Sequence, residues 1–267
     1  MDPQAIEQTL VIIKPDALKL SLTGYILSIL SESHTGLRLA GAKIVHVDDL
    51  LAKEHYAEHV SKPFFPNLID YITGRDHYPE DPHRRRVIAL IYCGPQAVEK
   101  VRSIAGPTNP HIARDSAPNT LRALGTIVTE HNDDGEKFIA RIDNLVHASA
   151  SAEEAEQEIK LWFRPADVMP YMRAYPASIC ETHYYWRNGQ LTTKHQPGDY
   201  CILGVGDLAW TSDIKALEHI VAGQPTRTSL TGVTAKYLIN TQLNPGLQSH
   251  PNDNDPDDAL TLACLYT

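Results

Sequence analysis

Residues 144–162 read Asn-Leu-Val-His-Ala-Ser-Ala-Ser-Ala-Glu-Glu-Ala-Glu-Gln-Glu-Ile-Lys-Leu-Trp, and the reading of the chain turns on them. His147 follows the apolar pair Leu145 and Val146 and precedes a run of small residues. Ser151, with Glu154 three residues later, carries the signature of a capping box, in which each side chain satisfies a backbone N–H of the other. Ala155, Ile159 and Trp162 then recur at helical spacing, so a helix starts just after the histidine. Glu158 lies about three helical turns past His147. If the chain folds back between the two, the carboxylate reaches the imidazole and fixes its tautomer. A loop histidine beside an acidic, solvated helix is the plainer reading of this stretch by itself. The rest of the chain decides between the two.

The chain has 267 residues, 42% hydrophobic and 21% charged, the balance of a soluble globular protein with one large or two smaller domains. No apolar run approaches the roughly 20 residues of a membrane span. The N-terminus, Met-Asp-Pro-Gln-Ala-Ile-Glu, is too acidic for a secretory signal. A formal charge of −9 argues against general nucleic-acid binding, which wants basic excess. Small anions stay possible, because a few converging Lys and Arg make a locally positive cleft. Cys93, Cys180, Cys201 and Cys264 are far apart with no Cys-x-x-Cys pair, which fits a reduced, cytoplasmic context and suggests no zinc ribbon or redox motif.

Outward from the central stretch, Thr9–Ile13 is a β-branched strand that ends in Lys14-Pro15-Asp16, a turn delivering Lys14 at a strand end. Residues 21–32 read as a helix. Residues 37–47 read as a strand with Gly41 a possible bulge. Asp48 or Asp49 caps a helix that runs through His55 and Tyr56. His55 and His59 stand at i and i+4, the spacing of two metal ligands, but no third ligand is obvious and no metal site is read there. Lys62-Pro63-Phe64-Phe65-Pro66 opens a short helix, and one of its phenylalanines is a candidate stacking platform for a flat ring. Gly74–Arg86 reads as a long exposed loop ending in three arginines. Residues 87–92 form a fully buried strand, and Pro95 starts a helix bearing Arg102. Gly106-Pro107-Thr108-Asn109-Pro110 ends that helix, a loop runs to Thr120-Leu121-Arg122, and Asp134-Gly135 turns a hairpin between 126–128 and 138–142. This order suggests an α+β sandwich of helices on one antiparallel sheet.

In order and spacing these motifs resemble the nucleoside diphosphate kinase family. The likeness runs from about Thr9 to Phe163 through Lys14-Pro15-Asp16, Glu54-His55-Tyr56, Lys62-Pro63-Phe64-Phe65, Gly106-x-Thr108-Asn109-Pro110, Thr120-Leu121-Arg122 and Asn144-x-x-His147-x-Ser149-x-Ser151 with Glu158. It implies a ferredoxin-like antiparallel sheet covered by helices over residues 1–165, Mg²⁺ carried by the nucleotide, a phosphohistidine on His147, and a homo-oligomer, tetramer or hexamer, built from dimers. NTP and NDP would be the partners, with no nucleic acid and no membrane. Carried over position by position, Arg102, Thr108 and Arg122 hold the phosphates, and Lys14 reaches the transferred group and the ribose, where Asn144 also bonds. Tyr56 sits beside the histidine, Phe64 stacks on the base, and Glu158 and Ser149 orient His147. Neutral imidazole is nucleophilic near pH 7 without a separate base, so one histidine serves twice in ping-pong transfer. Fixed donors stabilise the charge that spreads over the phosphoryl oxygens. No Gly-x-x-x-x-Gly-Lys-Ser/Thr run offers a P-loop instead.

The chain departs from the family's usual His-Gly-Ser-Asp-Ser at Ala148 and Ala150. A family glycine at positive φ would leave Ala148 strained. Three segments are long: Gly74–Arg86, His111–Ser116 and the hairpin around Asp134, the last two expected beside the nucleotide cleft. These departures motivate an alternative, a non-catalytic nucleotide-binding regulatory module on the same fold.

Residues 166–267 read as a small α+β extension of unknown role. It holds an Asn188-Gly189 hairpin, a strand at 200–205, helices at 212–221 and 232–241, an acidic run at 253–258 and a last strand at 259–265. Residues 198–203 and 257–262 are faintly similar to the late part of metal-dependent serine/threonine protein phosphatases, but no glycine follows Asp207 as in that family's metal site. Binding or oligomerisation is the default expectation for this part.

Overall fold

A computed structural model describes residues 7–131 and 134–237. The chain divides into two compact units, Met1–Trp162 with Asp167–Ala174, and Phe163–Ala166 with Tyr175–Thr267.

Unit 1 begins with β1 (Gln8–Ile13), whose six residues are all buried, as a β-branched run at the centre of a sheet should be. Three short helices follow, α1 (Pro15–Lys19), α2 (Thr23–Ile29) and α3 (Glu32–Thr35), then β2 (Arg38–Val45), α4 (Asp49–His55) and α5 (Phe65–Thr73). After them come β3 (Val87–Cys93), α6 (Ala97–Ala105), α7 (Pro110–Ser116), β4 (Thr126–His131), β5 (Lys137–Asp143), β6 (Val146–Ala148) and α8 (Ala152–Trp162). The main sheet has the order β2-β3-β1-β6, antiparallel throughout, and β4–β5 is a separate hairpin. This is an α+β fold with the ferredoxin-like strand order. Val11 and Ile13 of β1 pack with Leu90 and Tyr92 of β3, with Ile26 of α2 and Leu30 just after it, and with Ala97 and Val101 of α6. The alternate residues, Leu10 and Ile12, are equally buried and point to the other face, where α8 crosses β1.

Several boundaries differ from the sequence reading. Pro15 does stop the ladder, but it also occupies the first position of α1, where its missing N–H costs nothing. Pro95 does not open α6: the helix starts at Ala97, after Gln96 in the left-handed region at φ 56°. The stretch after Asn109, expected as loop, holds α7. The signal was present, because Asn109 caps the His111 N–H at 2.9 Å and Pro110 sits at the first helical position. Residues 74–86 are less exposed than expected. His77 is buried and its Nε2 lies 3.1 Å from Asp143, while Arg85 donates back to the carbonyls of Tyr78 and Pro79. The Gly41 region does carry the bulge, with the register shifting between Leu39 and Gly41.

Gly106 ends α6 at φ 81°. A Cβ there would overlap the Thr120 side chain, whose hydroxyl donates to Ala117 O at 2.7 Å. Gly106→Ala is therefore expected to destabilise unit 1 by about 2–3 kcal/mol, combining backbone strain with overpacking. Urea unfolding followed by circular dichroism measures this, and an unchanged midpoint would contradict it.

Unit 2 is built from β7 (Ala177–Ile179), β8 (Tyr184–Arg187), β9 (Gln190–Thr192), β10 (Tyr200–Leu203), β11 (Leu208–Trp210), α9 (Thr211–Val221) and α10 (Leu230–Tyr237). β8 and β9 form the expected hairpin, with Asn188 and Gly189 both at positive φ, the geometry of a type I′ turn. β10 joins β8, and the unanticipated strands β7 and β11 pair with each other. The core gathers Tyr184, Trp186, Leu203, Leu217 and Val233. Within it Lys236 donates to Asp213 at 2.5 Å and the Tyr237 hydroxyl donates to the same carboxylate at 2.9 Å, so that buried charge is paired and bonded. Asp207 accepts from the Gly204 N–H at 2.7 Å and thus closes a turn. The acidic run at 253–258 and the strand expected at 259–265 lie outside the described residues, as does the end of the helix expected at 232–241.

Candidate active site

The site grows from one turn. Leu145 is held at φ 67°, costly for a leucine by about 1–2 kcal/mol. Two hydrogen bonds fix it: Leu145 N–H donates to Asp16 Oδ2, and Lys14 N–H donates to Leu145 O, both at 2.9 Å. The side chain is fully buried. This turn ties the end of β1 to the start of β6. It sets Asn144 and Lys14 side by side, with Lys14 Nζ donating to Asn144 Oδ1 at 2.8 Å. Asn144 Nδ2 donates in turn to Thr108 O at 3.0 Å. Tyr71 supports both residues, accepting the Asn144 N–H at 3.1 Å and presenting its ring 4.8 Å from the Lys14 ammonium.

His147 lies opposite Ile12 in the register of β6 with β1. Its neighbours Val146 and Ala148 join the α2–α6 core, so strand alternation turns the imidazole to the α8 side. There α8 carries Glu158, and His147 Nε2 lies 2.7 Å from Glu158 Oε1. The ring N–H is not aligned on that oxygen, so the contact is a close polar pairing and not a straight hydrogen bond. The other carboxylate oxygen accepts from Ser149 Oγ at 2.6 Å, and Ser149 Oγ accepts the Leu10 N–H at 3.1 Å. Strand β1, residue 149 and α8 thereby hold one carboxylate. At the start of α8 the serine half of the box is as expected, Glu154 N–H donating to Ser151 Oγ at 3.1 Å, while the Glu154 carboxylate accepts from the Ala150 N–H at 3.0 Å, one residue before the N-cap.

Arg122 is buried and its guanidinium is anchored by backbone carbonyls. Nη1 donates to Gly106 O at 2.9 Å, and Nε and Nη2 donate to Val146 O at 3.3 and 3.2 Å. Arg102 and Thr108 are exposed. Burial and the cations of Lys14, Arg122 and Arg102 push the His147 imidazole well below its usual range, so it is neutral at pH 7. Burial first, then the Arg122 cation, lowers Lys14 to about 7. Burial and Arg102 bring Arg122 down to about 10, still cationic at neutral pH. Burial raises the Glu158 carboxyl, opposed by His55 and by the Ser149 hydrogen bond. The Tyr56 hydroxyl is buried without a partner and pushed up by burial and Glu158.

Phe64 is 52% exposed, at the end of an aromatic row in which His59 lies 5.7 Å from it and 6.3 Å from Tyr56. The row parts His55 from His59. His59 pairs with Glu58, while His55 turns inward to Tyr56, His147 and Trp162, so the two do not face one site. Ala148 is not among the residues at positive φ, and the strain anticipated there is absent; the left-handed position is Leu145. Sequence reasoning missed Tyr71, Asp16 as a side-chain acceptor, and the inward turn of His55. Asp16 and His55 were readable as parts of Lys-Pro-Asp and Glu-His-Tyr, whereas no local signal marked Tyr71 or the direction in which His55 turns.

A family model described as nucleoside diphosphate kinase matches residues 7–168. The chain belongs to the nucleoside diphosphate kinase family. It is 41% identical over 169 residues to the nucleoside diphosphate kinase of Pyrococcus furiosus, covering 63% of this chain and 90% of that one. To that of Mycolicibacterium smegmatis it is 41% identical over 157 residues, 59% of this chain and 94% of the other. A crystal structure of the Aquifex aeolicus nucleoside diphosphate kinase is 31% identical, with a TM-score of 0.49, over 62% of this chain and 100% of that one. The family match ends at residue 168, so most of unit 2 lies beyond it. Among the described residues no helix is long and apolar enough to cross a membrane.

Proposed function

We propose that this chain is a nucleoside diphosphate kinase that moves the terminal phosphate of an NTP to an NDP through a phosphohistidine on His147. One observation carries the reading: a neutral imidazole, paired with Glu158, faces the combined field of Lys14, Arg102 and Arg122. Because Nε2 is turned to Glu158, Nδ1 is the nucleophilic nitrogen. In the first half-reaction the Nδ1–Pγ bond forms, the bond from Pγ to the β-phosphate oxygen breaks, and NDP leaves. In the second, a terminal oxygen of another NDP attacks the same phosphorus and the N–P bond breaks. Glu158 stabilises the positive charge on the ring while the phosphoryl group is attached, and Ser149 holds Glu158. Arg102, Arg122 and Thr108 bind the phosphates, and Lys14 and Asn144 reach the transferred group and the ribose. Tyr56 flanks the histidine.

The nucleotide enters as its Mg²⁺ complex, the ion being part of the substrate. Phe64 stacks on the base through its π face, which every base offers, so broad base specificity is expected. A cytoplasmic homo-oligomer built from dimers belongs to the same reading, and light scattering measures its mass. The alternative of a silent binding module was motivated by Ala148, Ala150 and the three long segments; the strain anticipated at Ala148 is absent, since that residue is not at positive φ.

Incubation with [γ-³²P]ATP and Mg²⁺ tests the proposal. An acid-labile, base-stable label on wild type, absent from His147→Ala, is expected. Bound nucleotide without label would favour the module.

The lowered Lys14 adds a pH signature. In the free protein this amine loses its proton as pH rises through about 7. Phosphates bind the cationic form, so nucleotide binding above pH 7 takes up a proton and affinity falls as pH rises. Calorimetry of ADP binding in buffers of different ionisation enthalpy should show that uptake in wild type. Lys14→Arg, always charged, should not show it, and equal uptake in both would remove Lys14 from the phosphate site.

A further inference from the structure

Two imidazoles and a carboxylate converge beside the proposed nucleophile. His147 Nε2 lies 2.7 Å, and His55 Nδ1 3.6 Å, from the same oxygen, Glu158 Oε1. One ligand atom from each of the three side chains lies within 4.8 Å of the other two. A tetrahedral ion about 2.0–2.2 Å from each nitrogen and oxygen separates its ligands by roughly 3.3 Å, so small side-chain rotations suffice. The outer layer is built around Glu158. Glu158 Oε2 is held by Ser149, and His55 sits against Trp162, whose indole N–H donates to Nδ1 at 3.2 Å and must release it on ligation. His55 Nε2 is buried without a partner, so no acceptor there holds the ring against the turn that ligation needs.

We infer that His55, His147 and Glu158 form a site for a borderline divalent transition cation of the Zn²⁺ kind, and that its occupancy holds the enzyme inactive. This ion is distinct from the Mg²⁺ that travels with nucleotide. Two imidazoles and one carboxylate suit zinc, copper or nickel, whereas Mg²⁺ takes oxygens and keeps its waters. Ligation through Nε2 draws electron density from the imidazole and diverts Glu158 to the metal. The ring then attacks phosphorus poorly from Nδ1. No bond to phosphorus forms or breaks in this step, and removal of the metal reverses it. The binding part rests on the three side chains alone; the inhibition rests on the reading of His147 as phosphoryl acceptor.

Two measurements on the full chain separate the parts. First, the protein is equilibrated with ZnCl₂ in excess Mg²⁺, desalted, and its metal content read by atomic emission. Wild type is expected to retain one zinc per chain, and His55→Gln, His147→Gln and Glu158→Gln each to bind it at least about 100-fold more weakly. Three variants that retain zinc as wild type does would put the metal elsewhere among the chain's 13 histidines and overturn the site. If one variant does not fold, the other two decide. Second, zinc-loaded and zinc-free wild type are labelled with [γ-³²P]ATP. Labelling should fall at least tenfold with zinc and return after a chelator. Bound zinc with undiminished labelling would overturn the inhibitory role. Absence of label from the zinc-free protein would instead count against the phosphoryl-acceptor reading and leave the binding result standing.

Discussion

His147→Ala is expected to lower kcat for phosphate transfer by at least about 10⁴-fold while leaving nucleotide affinity within a few-fold of wild type. The asymmetry follows from the division of labour. Lys14, Arg102, Thr108, Arg122 and Asn144, assigned to the nucleotide, do not depend on the imidazole for their placement. Asn144 is held by Tyr71 and by Thr108 O, and Arg122 by the carbonyls of Gly106 and Val146. The neighbouring imidazole does not substitute. His55 lies 4.6 Å away ring to ring, but burial takes it down to about 3, its Nδ1 accepts from Trp162 and its Nε2 is enclosed. Steady-state transfer from ATP to a second NDP, with fluorescent-ADP titration alongside, measures both quantities. A variant that kept a tenth of the wild-type rate would remove His147 from the mechanism.

Arg122→Ala is expected to cost about 10²–10³-fold in kcat/KM, the effect of losing one fixed donor aimed at developing charge. It should also lower stability by about 1–3 kcal/mol, because the carbonyls of Gly106 and Val146 lose their donor inside the protein. The two effects separate with Arg122→Lys. An ammonium restores the charge but not the fork that bonds two carbonyls at once, so this variant should recover part of the rate and little of the stability. Stopped-flow transfer rates and urea midpoints of both variants test the pair. Near-wild-type transfer in a destabilised Arg122→Ala would make the guanidinium a purely structural brace.

Much of the site was legible because its residues sit in short motifs whose local geometry is set by neighbours. Lys14 stands at a strand end because Pro15 stops the ladder, and Ser151 with Glu154 starts α8 where the capping box says. Asn188-Gly189 turns the hairpin of unit 2 because both residues tolerate positive φ. The misses share a cause as well. α7 was hidden by the proline and glycine around it, although Asn109-Pro110 is a helix start. The burial of His77 depends on Asp143, 66 residues away, which no local window reports.

From its residues alone the chain specified most of the alternation of strands and helices, the family, and the pairing of His147 with Glu158, because periodicity, caps and turns are short-range and motif order survives without coordinates. Tertiary structure alone decided which ring nitrogen meets Glu158, that Leu145 and not Ala148 bears the left-handed turn, and that His55 leaves His59 to join His147. These are matters of which face a side chain takes once strands pair and α8 crosses β1. A separation of 92 residues between His55 and His147 closes only when the sheet and α8 pack together.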